Sequence, residues 1–286
     1  MRKIFVLGMA VITIAFASCE KMVNESDLTD ETKKRITFNV KGNFKPLQTR
    51  VGATQISSSA MTDVWVFDYV DGKLVQQVHQ GDKTASNFGS PTLSLSLGNH
   101  ELYFVCSAGG SPILNVEAHK ISWDIPRDTF WKKLTKKITS RTAEKSSLML
   151  DRIATRLSVN IEDALPSHIA KVEIDPTKWY YGLDYLTGNG TEEKNSTLTI
   201  TIPIEYIGCT NTNVHIFGLS QATEFVTNAT ITAKDASGAT ITTQTINNAP
   251  MQRNRSTDYT GTMFTSDQST ELSLNTDWDT PWMGTW

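Results

Sequence analysis

Residues 64–78 read Val-Trp-Val-Phe-Asp-Tyr-Val-Asp-Gly-Lys-Leu-Val-Gln-Gln-Val, and no other segment indicates the fold class more directly. A short apolar run ends at Asp71-Gly72, a residue pair that favours a tight hairpin turn. Residues 73–78 then predict the returning strand. The stretch indicates antiparallel β-structure.

Short alternating runs of the same kind fill the chain on both sides of this hairpin. They cover residues 36–40, 93–97, 101–106, 153–161, 171–174, 198–204, 214–219, 229–233 and 241–246. Ser237-Gly238 predicts a hairpin turn between the last two runs. The alternation of threonine with leucine and isoleucine at 197–202 is typical of a sheet with one wet face. We predict an all-β protein built from two tandem antiparallel β-sandwich domains.

One segment of the first half predicts a helix instead. Asp128 would cap it after Pro126, while Phe130, Leu134 and Ile138 fall at helical spacing. The opposite face would carry Lys132, Lys133, Lys136 and Lys137. Such a cluster could attract an anionic partner, but a solvated helix face is the simpler interpretation. The predicted fold therefore includes one or two short helices.

The first residues have the layout of a secretory signal. Arg2 and Lys3 precede an apolar run at 4–16, which is too short to span a bilayer permanently, and small residues lead to Cys19. A cysteine at this place resembles a lipobox, although it could also be incidental to an ordinary signal peptide. We predict a signal peptide at 1–18, a polar tether at 19–34, and sandwich domains at 35–147 and 148–286.

Composition argues against several functional classes. The formal net charge of -3 and the pI of about 6.0 give no general attraction to nucleic acid, and the sequence has no glycine-rich phosphate loop. The five histidines are scattered without metal-ligand spacing, and none belongs to a nucleophile motif. His100 begins a strand and is interpreted as part of an edge pair with Glu101. We predict a protein that is not an enzyme, with no catalytic residue, metal or cofactor.

Cys106 and Cys209 are the thiols that remain if Cys19 is acylated. In an oxidising compartment they could form a bridge, but they fall in different predicted domains and each lies beside apolar strand residues. Two separate buried thiols are the favoured interpretation.

Two further segments carry functional hypotheses. Arg50 ends a polar stretch after the first strand, so it is either a protease cleavage site or merely an exposed loop residue. At the other end Trp278, Trp282 and Trp286 recur at every fourth position. Three tryptophans would expose much apolar surface in a free tail, so they either fold back on their own domain or dock on a neighbouring molecule or a glycan.

The order of these patterns resembles the fimbrillin superfamily, the lipoprotein subunits and anchors of type V pili. The resemblance is carried by Cys19 and by the segments 64–68, 71–74, 152–159, 251–257 and 259–264. It implies two transthyretin-like β-sandwich domains and export to the outer membrane as an acylated (palmitate-carrying) lipoprotein. It also implies a place in a cell-surface fimbrium or pilus and a role in cell adhesion.

The resemblance also implies roles for individual residues. Arg50 is the candidate cleavage residue of an arginine-specific protease, and Ile36, Phe38 and Val40 mark the candidate removable strand. Leu272 and Leu274 are candidate donor positions that would fill the vacated groove of the next subunit. Pro281 departs from the pattern, because proline cannot donate to a strand ladder.

The expected partners are other fimbrial subunits, the outer membrane through the lipid, and host or bacterial surface ligands. The sequence leaves stalk, anchor and tip roles open. The alternative is a surface glycan-binding lipoprotein that presents Trp65, Trp123, Trp179 or the tail tryptophans to sugar.

Overall fold

The computed structural model describes residues 32–42, 54–55, 61–108, 111–265, 270–275 and 282–285. The described residues form strands joined by turns, with one 3-10 helical turn at Ile204–Tyr206. The predicted all-β class is therefore confirmed. Across the described ranges, no helix is long and apolar enough to cross a bilayer.

The strands are numbered in chain order. The first ten are β1 (Lys33–Gly42), β2 (Thr54–Gln55), β3 (Asp63–Val70), β4 (Lys73–Gln80), β5 (Thr92–Ser96), β6 (Gly98–Ser107), β7 (Ile113–Asn115), β8 (Lys120–Ser122), β9 (Thr129–Ile138) and β10 (Lys145–Arg152). They are followed by β11 (Ala154–Ile161), β12 (Ile169–Pro176), β13 (Trp179–Asp184), β14 (Asn189–Lys194), β15 (Leu198–Thr201), β16 (Thr212–Leu219), β17 (Phe225–Asp235), β18 (Thr240–Met251), β19 (Ser256–Gly261), β20 (Thr270–Asn275) and β21 (Trp282–Thr285).

The first sandwich is one sheet folded over on itself. Its order is β4-β3-β6-β9-β10-β1-β5, and β9 pairs with β10 through Trp131 and Phe130 alone among the described strand residues. This short pairing lets the sheet divide into two layers. The apolar side chains of both layers meet in a common core. They include Ile36, Phe38, Val64, Val66, Leu93, Leu95, Leu102, Phe104 and Leu150.

The second sandwich consists of two sheets. One has the order β2-β16-β11-β19-β20-β21 and the other β15-β12-β17-β18. Leu157 and Val159 of β11 share a core with Val172 and Ile174 of β12. Alternate residues of each strand supply this core because successive side chains point to opposite faces. In the described part of the chain, three pairings are parallel rather than antiparallel: β1 with β10, β11 with β19, and β16 with β2.

A small fourth sheet, β14-β13-β8-β7, joins strands from the two predicted halves of the chain. Leu183 of β13 pairs with Ile121 of β8. Strand β3 also connects the two cores, because Val64 and Val66 face the first core while Trp65 and Phe67 face the second. The division into domains at 35–147 and 148–286 stays a prediction.

The prediction of a helix after Pro126 is wrong. Residues 129–138 form β9, which pairs with β6 along its whole length. Phe130, Leu134 and Ile138 are spaced by four, and an even spacing puts residues on one face of a strand as well as of a helix. A long neighbouring strand therefore decided the conformation, and no described segment forms an α-helix.

Candidate strand-exchange site

Strand β1 is inserted between two neighbours. Its residues 33–37 pair antiparallel with β5, from Lys33 opposite Ser96 to Thr37 opposite Thr92. Its residues 37–42 pair parallel with β10, from Thr37 opposite Lys145 onward. Both edges of β1 are therefore engaged in main-chain pairing.

The second half of β1 is also bonded on the side that leads into β5. The amide of Phe38 donates to the Pro91 carbonyl at 2.9 Å, and the amide of Val40 donates to the Gly89 carbonyl at 2.8 Å. Each bond pairs a backbone group that would otherwise be costly to keep away from water.

The inward face of β1 fills the first core. Ile36 and Phe38 are both 0% exposed. The Phe38 ring lies 5.1 Å from the Phe104 ring, centroid to centroid, and Lys136 Nζ lies 5.8 Å from the Phe38 centroid. Val40 is half-buried and packs against the same core. The three positions predicted as a removable strand therefore lie together on one face.

The other face of β1 carries matched polar groups. The Thr37 and Thr92 hydroxyls lie 2.8 Å apart, and the Ser90 hydroxyl donates to Asn39 Oδ1 at 3.1 Å. The space between β10 and β5 that residues 36–40 occupy is called here the β1 slot. It is apolar on the core side and polar on the other side.

An ion pair fixes the far end of the β10 wall. Arg152 donates from Nε to Asp128 Oδ1 at 2.8 Å and from Nη2 to Asp128 Oδ2 at 3.0 Å, and both side chains are buried. The guanidinium carbon lies 4.9 Å from the Phe130 centroid. Burial raises the pKa of the Asp128 carboxyl, and the charge of Arg152 opposes that shift. This pair holds β10 against the loop that precedes β9.

The other predicted residues of the exchange lie elsewhere. Cys19 and Arg50 lie outside the described residues, with Arg50 between Gly42 of β1 and Thr54 of β2. Leu272 and Leu274 lie in β20, where they pair with Tyr259 and Thr257 of β19. The structure thus places the candidate donor positions in their own chain's second sandwich, away from the β1 slot.

The tryptophans have different environments. Trp282 begins β21 and pairs with Leu274, while Trp278 and Trp286 lie outside the described residues. The suggestion that Trp65, Trp123 and Trp179 present themselves to sugar is wrong. They are 2%, 1% and 0% exposed, because all three side chains pack inside the second core.

The thiols and histidines of the described residues have separate surroundings. Cys106 and Cys209 are both free; Cys106 is buried as expected, but Cys209 is only half-buried. No group of three or more metal-ligating side chains comes together in the described ranges. The expectation of an edge pair at His100 is wrong, since β6 is an internal strand and His100 is buried against Asp68 at 2.7 Å.

Sequence reasoning missed the residues that support the slot from outside. Gln76 of β4 and His100 of β6 bond to β5 itself, and Gln80 of β4 bonds to the loop that precedes β5. Asp68 of β3 contacts His100. Two glutamines four residues apart fall on one face of a strand, and that spacing was the available signal.

Comparison with known protein families assigns this sequence to one of them. The sequence matches the family of unknown function DUF6562 over residues 111–286, more than half of the chain. The chain belongs to the DUF6562 family. None of the curated proteins matches this DUF6562 chain.

Solved structures similar to this DUF6562 protein include a DUF1812 protein of Bacteroides thetaiotaomicron VPI-5482, for which polysaccharide binding has been proposed. It is 10% identical with a TM-score of 0.52, and the match covers 88% of this chain and 98% of that one. This likeness shows the tandem-sandwich fold.

Two other solved structures that match this chain come from fimbrial proteins. A fimbrial assembly protein of Parabacteroides distasonis ATCC 8503 is 9% identical with a TM-score of 0.49, covering 88% and 98% of the two chains. The tip fimbrial protein Mfa3 of Porphyromonas gingivalis, with a C-terminal truncation, is 11% identical with a TM-score of 0.45, covering 79% and 94%.

Proposed function

We propose that this DUF6562 protein is a cell-surface fimbrial subunit, anchor or accessory lipoprotein that assembles by exchange of β-strands and contributes to adhesion. The observation that carries the proposal is the placement of β1, with two fully buried side chains between two strand partners. A strand held in this way can be replaced only by another strand that restores both its main-chain pairing and its apolar face.

Loss of β1 would open the slot on three sides. The carbonyls of Gly89 and Pro91 and the edges of β5 and β10 would lose their partners, and the cavity left by Ile36 and Phe38 would expose the first core. Unpaired strand edges beside an apolar groove bind extended segments of other chains. The emptied slot is therefore suited to bind a strand of another subunit.

The chain contains a segment that matches the slot. Residues 36–39 read Ile-Thr-Phe-Asn, and residues 272–275 read Leu-Ser-Leu-Asn. In this register an apolar residue replaces Ile36, a hydroxyl replaces Thr37, an apolar residue replaces Phe38 and asparagine replaces Asn39. We propose residues 272–275 of a second subunit as the incoming strand, which requires β20 to leave β19 in the donor.

Export and processing complete the proposal. Acylation of Cys19 would tether the protein to the outer membrane, and cleavage after Arg50 would separate β1 from the rest of the chain. A stalk subunit would lose both the lipid and β1, whereas an anchor would keep them. The tail tryptophans Trp278, Trp282 and Trp286 are proposed contacts with a neighbouring subunit or surface ligand.

Digestion with an arginine-specific protease tests the proposal. We expect a new N-terminus at Val51, followed by polymers that resist denaturant, because an emptied slot is filled by a second chain. The variant Arg50→Ala should stay monomeric under the same treatment. Arg141→Ala is the matched control, because Arg141 is exposed in a turn outside the slot and its loss should leave polymerisation intact.

The donor is tested separately with Leu272→Asp/Leu274→Asp. This variant should accept a strand but not provide one, so it should terminate polymers of the wild-type protein. Cleavage at residue 50 without polymerisation would contradict strand exchange. If an uncleaved monomer instead binds glycan through Trp282, the glycan-binding alternative takes its place.

A further inference from the structure

Strand β5 forms one wall of the β1 slot and is the last strand of its sheet. Within the described residues its ladder partner is β1 itself. A wall held by β1 alone would come loose when β1 leaves. Besides the core packing of Leu93 and Leu95, the bonds on the side of β5 that faces away from β1 therefore decide whether an empty slot keeps its shape.

Gln80 of β4 holds the approach to β5 at two points. Its Nε2 donates to the Asn87 carbonyl at 2.9 Å, and its Oε1 accepts from the Gly89 amide at 3.0 Å. The carbonyl of the same Gly89 accepts from Val40 of β1. Gln80 thus fixes a residue whose other side faces the occupant of the slot.

Gln76 and His100 continue the same support along β5. Gln76 Oε1 accepts from the Ser94 amide at 3.2 Å. The Ser96 carbonyl can only accept, so His100 Nε2 donates to it, at 2.9 Å. His100 Nδ1 lies 2.7 Å from Asp68 Oδ1, and both side chains are buried. None of these bonds involves β1.

We propose that Gln76, Gln80 and His100 are positioning residues that hold the β5 wall in place without β1, so that the emptied slot stays preformed for the strand of a second chain. β4 and β5 are the two end strands of the sheet, and side-chain hydrogen bonds rather than main-chain pairing connect them. A preformed groove loses less conformational entropy when a strand binds, and the incoming strand therefore binds more tightly. This inference rests on the strand-exchange function proposed above.

The test empties the slot in the full chain. Ile36→Asp/Phe38→Asp puts charges at two fully buried positions and should expel β1. The probe is a fluorescently labelled peptide with the sequence of residues 33–42. We expect it to bind this background variant, and we expect added Gln76→Ala/Gln80→Ala to weaken its binding at least about tenfold. The matched control is Gln77→Ala, because Gln77 lies on β4 with its side chain exposed.

The outcomes separate the two proposals. Equal peptide affinity with and without Gln76 and Gln80 would overturn the positioning role and leave strand exchange standing. Failure of the peptide to bind the background variant, while hydrogen exchange shows β17 still protected, would overturn strand exchange itself.

A measurement on the otherwise intact chain keeps the inference testable if the background variant does not fold. In Gln76→Ala/Gln80→Ala with β1 in place, hydrogen exchange at the Gly89 and Ser94 amides should rise at least about tenfold. The melting temperature should stay close to that of the wild type, because β1 still holds β5. Unchanged exchange at both amides would refute the positioning role.

Discussion

At the scale of single residues, two ion pairs beside β9 and β10 contrast burial with exposure. Arg152 and Asp128 are buried, whereas Lys132 and Asp151 form an exposed pair at 2.7 Å. An exposed pair contributes little because water screens it. Loss of one partner of a buried pair leaves an unsatisfied charge, which is far more costly.

We therefore expect Arg152→Met to lower the free energy of unfolding by about 3–5 kcal/mol. Lys132→Met should cost less than about 1 kcal/mol. Urea unfolding of both variants against the wild type measures the difference. Similar costs for the two substitutions would show that the Arg152 pair does not support β10.

A second residue-scale prediction concerns acid stability. Burial, followed by the positive charges of Arg156 and Arg127, lowers the pKa of His215 from 6.5 to about 3. Between about pH 6.5 and pH 3, His215 is protonated in the unfolded chain but neutral in the folded chain. This group therefore makes the free energy of unfolding fall as the pH drops from about 6.5 towards about 3, by at most about 1.4 kcal/mol per pH unit.

His215→Gln should flatten the pH dependence of the unfolding free energy in that window, as measured by urea unfolding at several pH values. His168→Gln is the control for replacement of a histidine as such, because the His168 side chain is exposed. Identical slopes for His215→Gln and the wild type would contradict the assignment.

At the scale of elements, β1 acts as a core strand although it is the first strand of the described residues. Phe38→Ala should lower the free energy of unfolding by about 3–5 kcal/mol, because it leaves a cavity against Phe104. Val40→Ala should cost less, since Val40 is half-buried, and the exposed Lys41→Ala should cost little. Denaturant unfolding gives this series. A flat series would mean that β1 does not hold the first core.

At the scale of the whole molecule, aromatic residues join strand β3 of the first sandwich to the turn after β13, within the second core. The Phe67 and Tyr185 rings stack with centroids 3.9 Å apart, and the Tyr69 and Tyr185 hydroxyls lie 3.1 Å apart. Tyr185 also accepts a bond at its carbonyl from Trp131 Nε1 at 2.8 Å. Such contacts couple the unfolding of the layers that they join.

We expect calorimetry of the wild type to show one unfolding transition, and we expect Tyr185→Ala to divide it into two. Tyr185→Phe keeps the stacked ring and should retain a single transition. Two transitions in the wild type would show that the cores unfold independently.

The sequence by itself determined the all-β class, the hairpin at Asp71-Gly72 and the strand at 36–40, because alternation and turn chemistry are local properties. It failed at 129–138, where an even spacing suits a helix and a strand equally and the long neighbour β6 decided. Only the tertiary structure decided that β1 lies between β10 and β5, that β8 pairs with β13, and that Gln76 and Gln80 close the sheet. Pairing between distant strands depends on which backbone edges meet in space, and a local pattern of residues does not predict which edges these are.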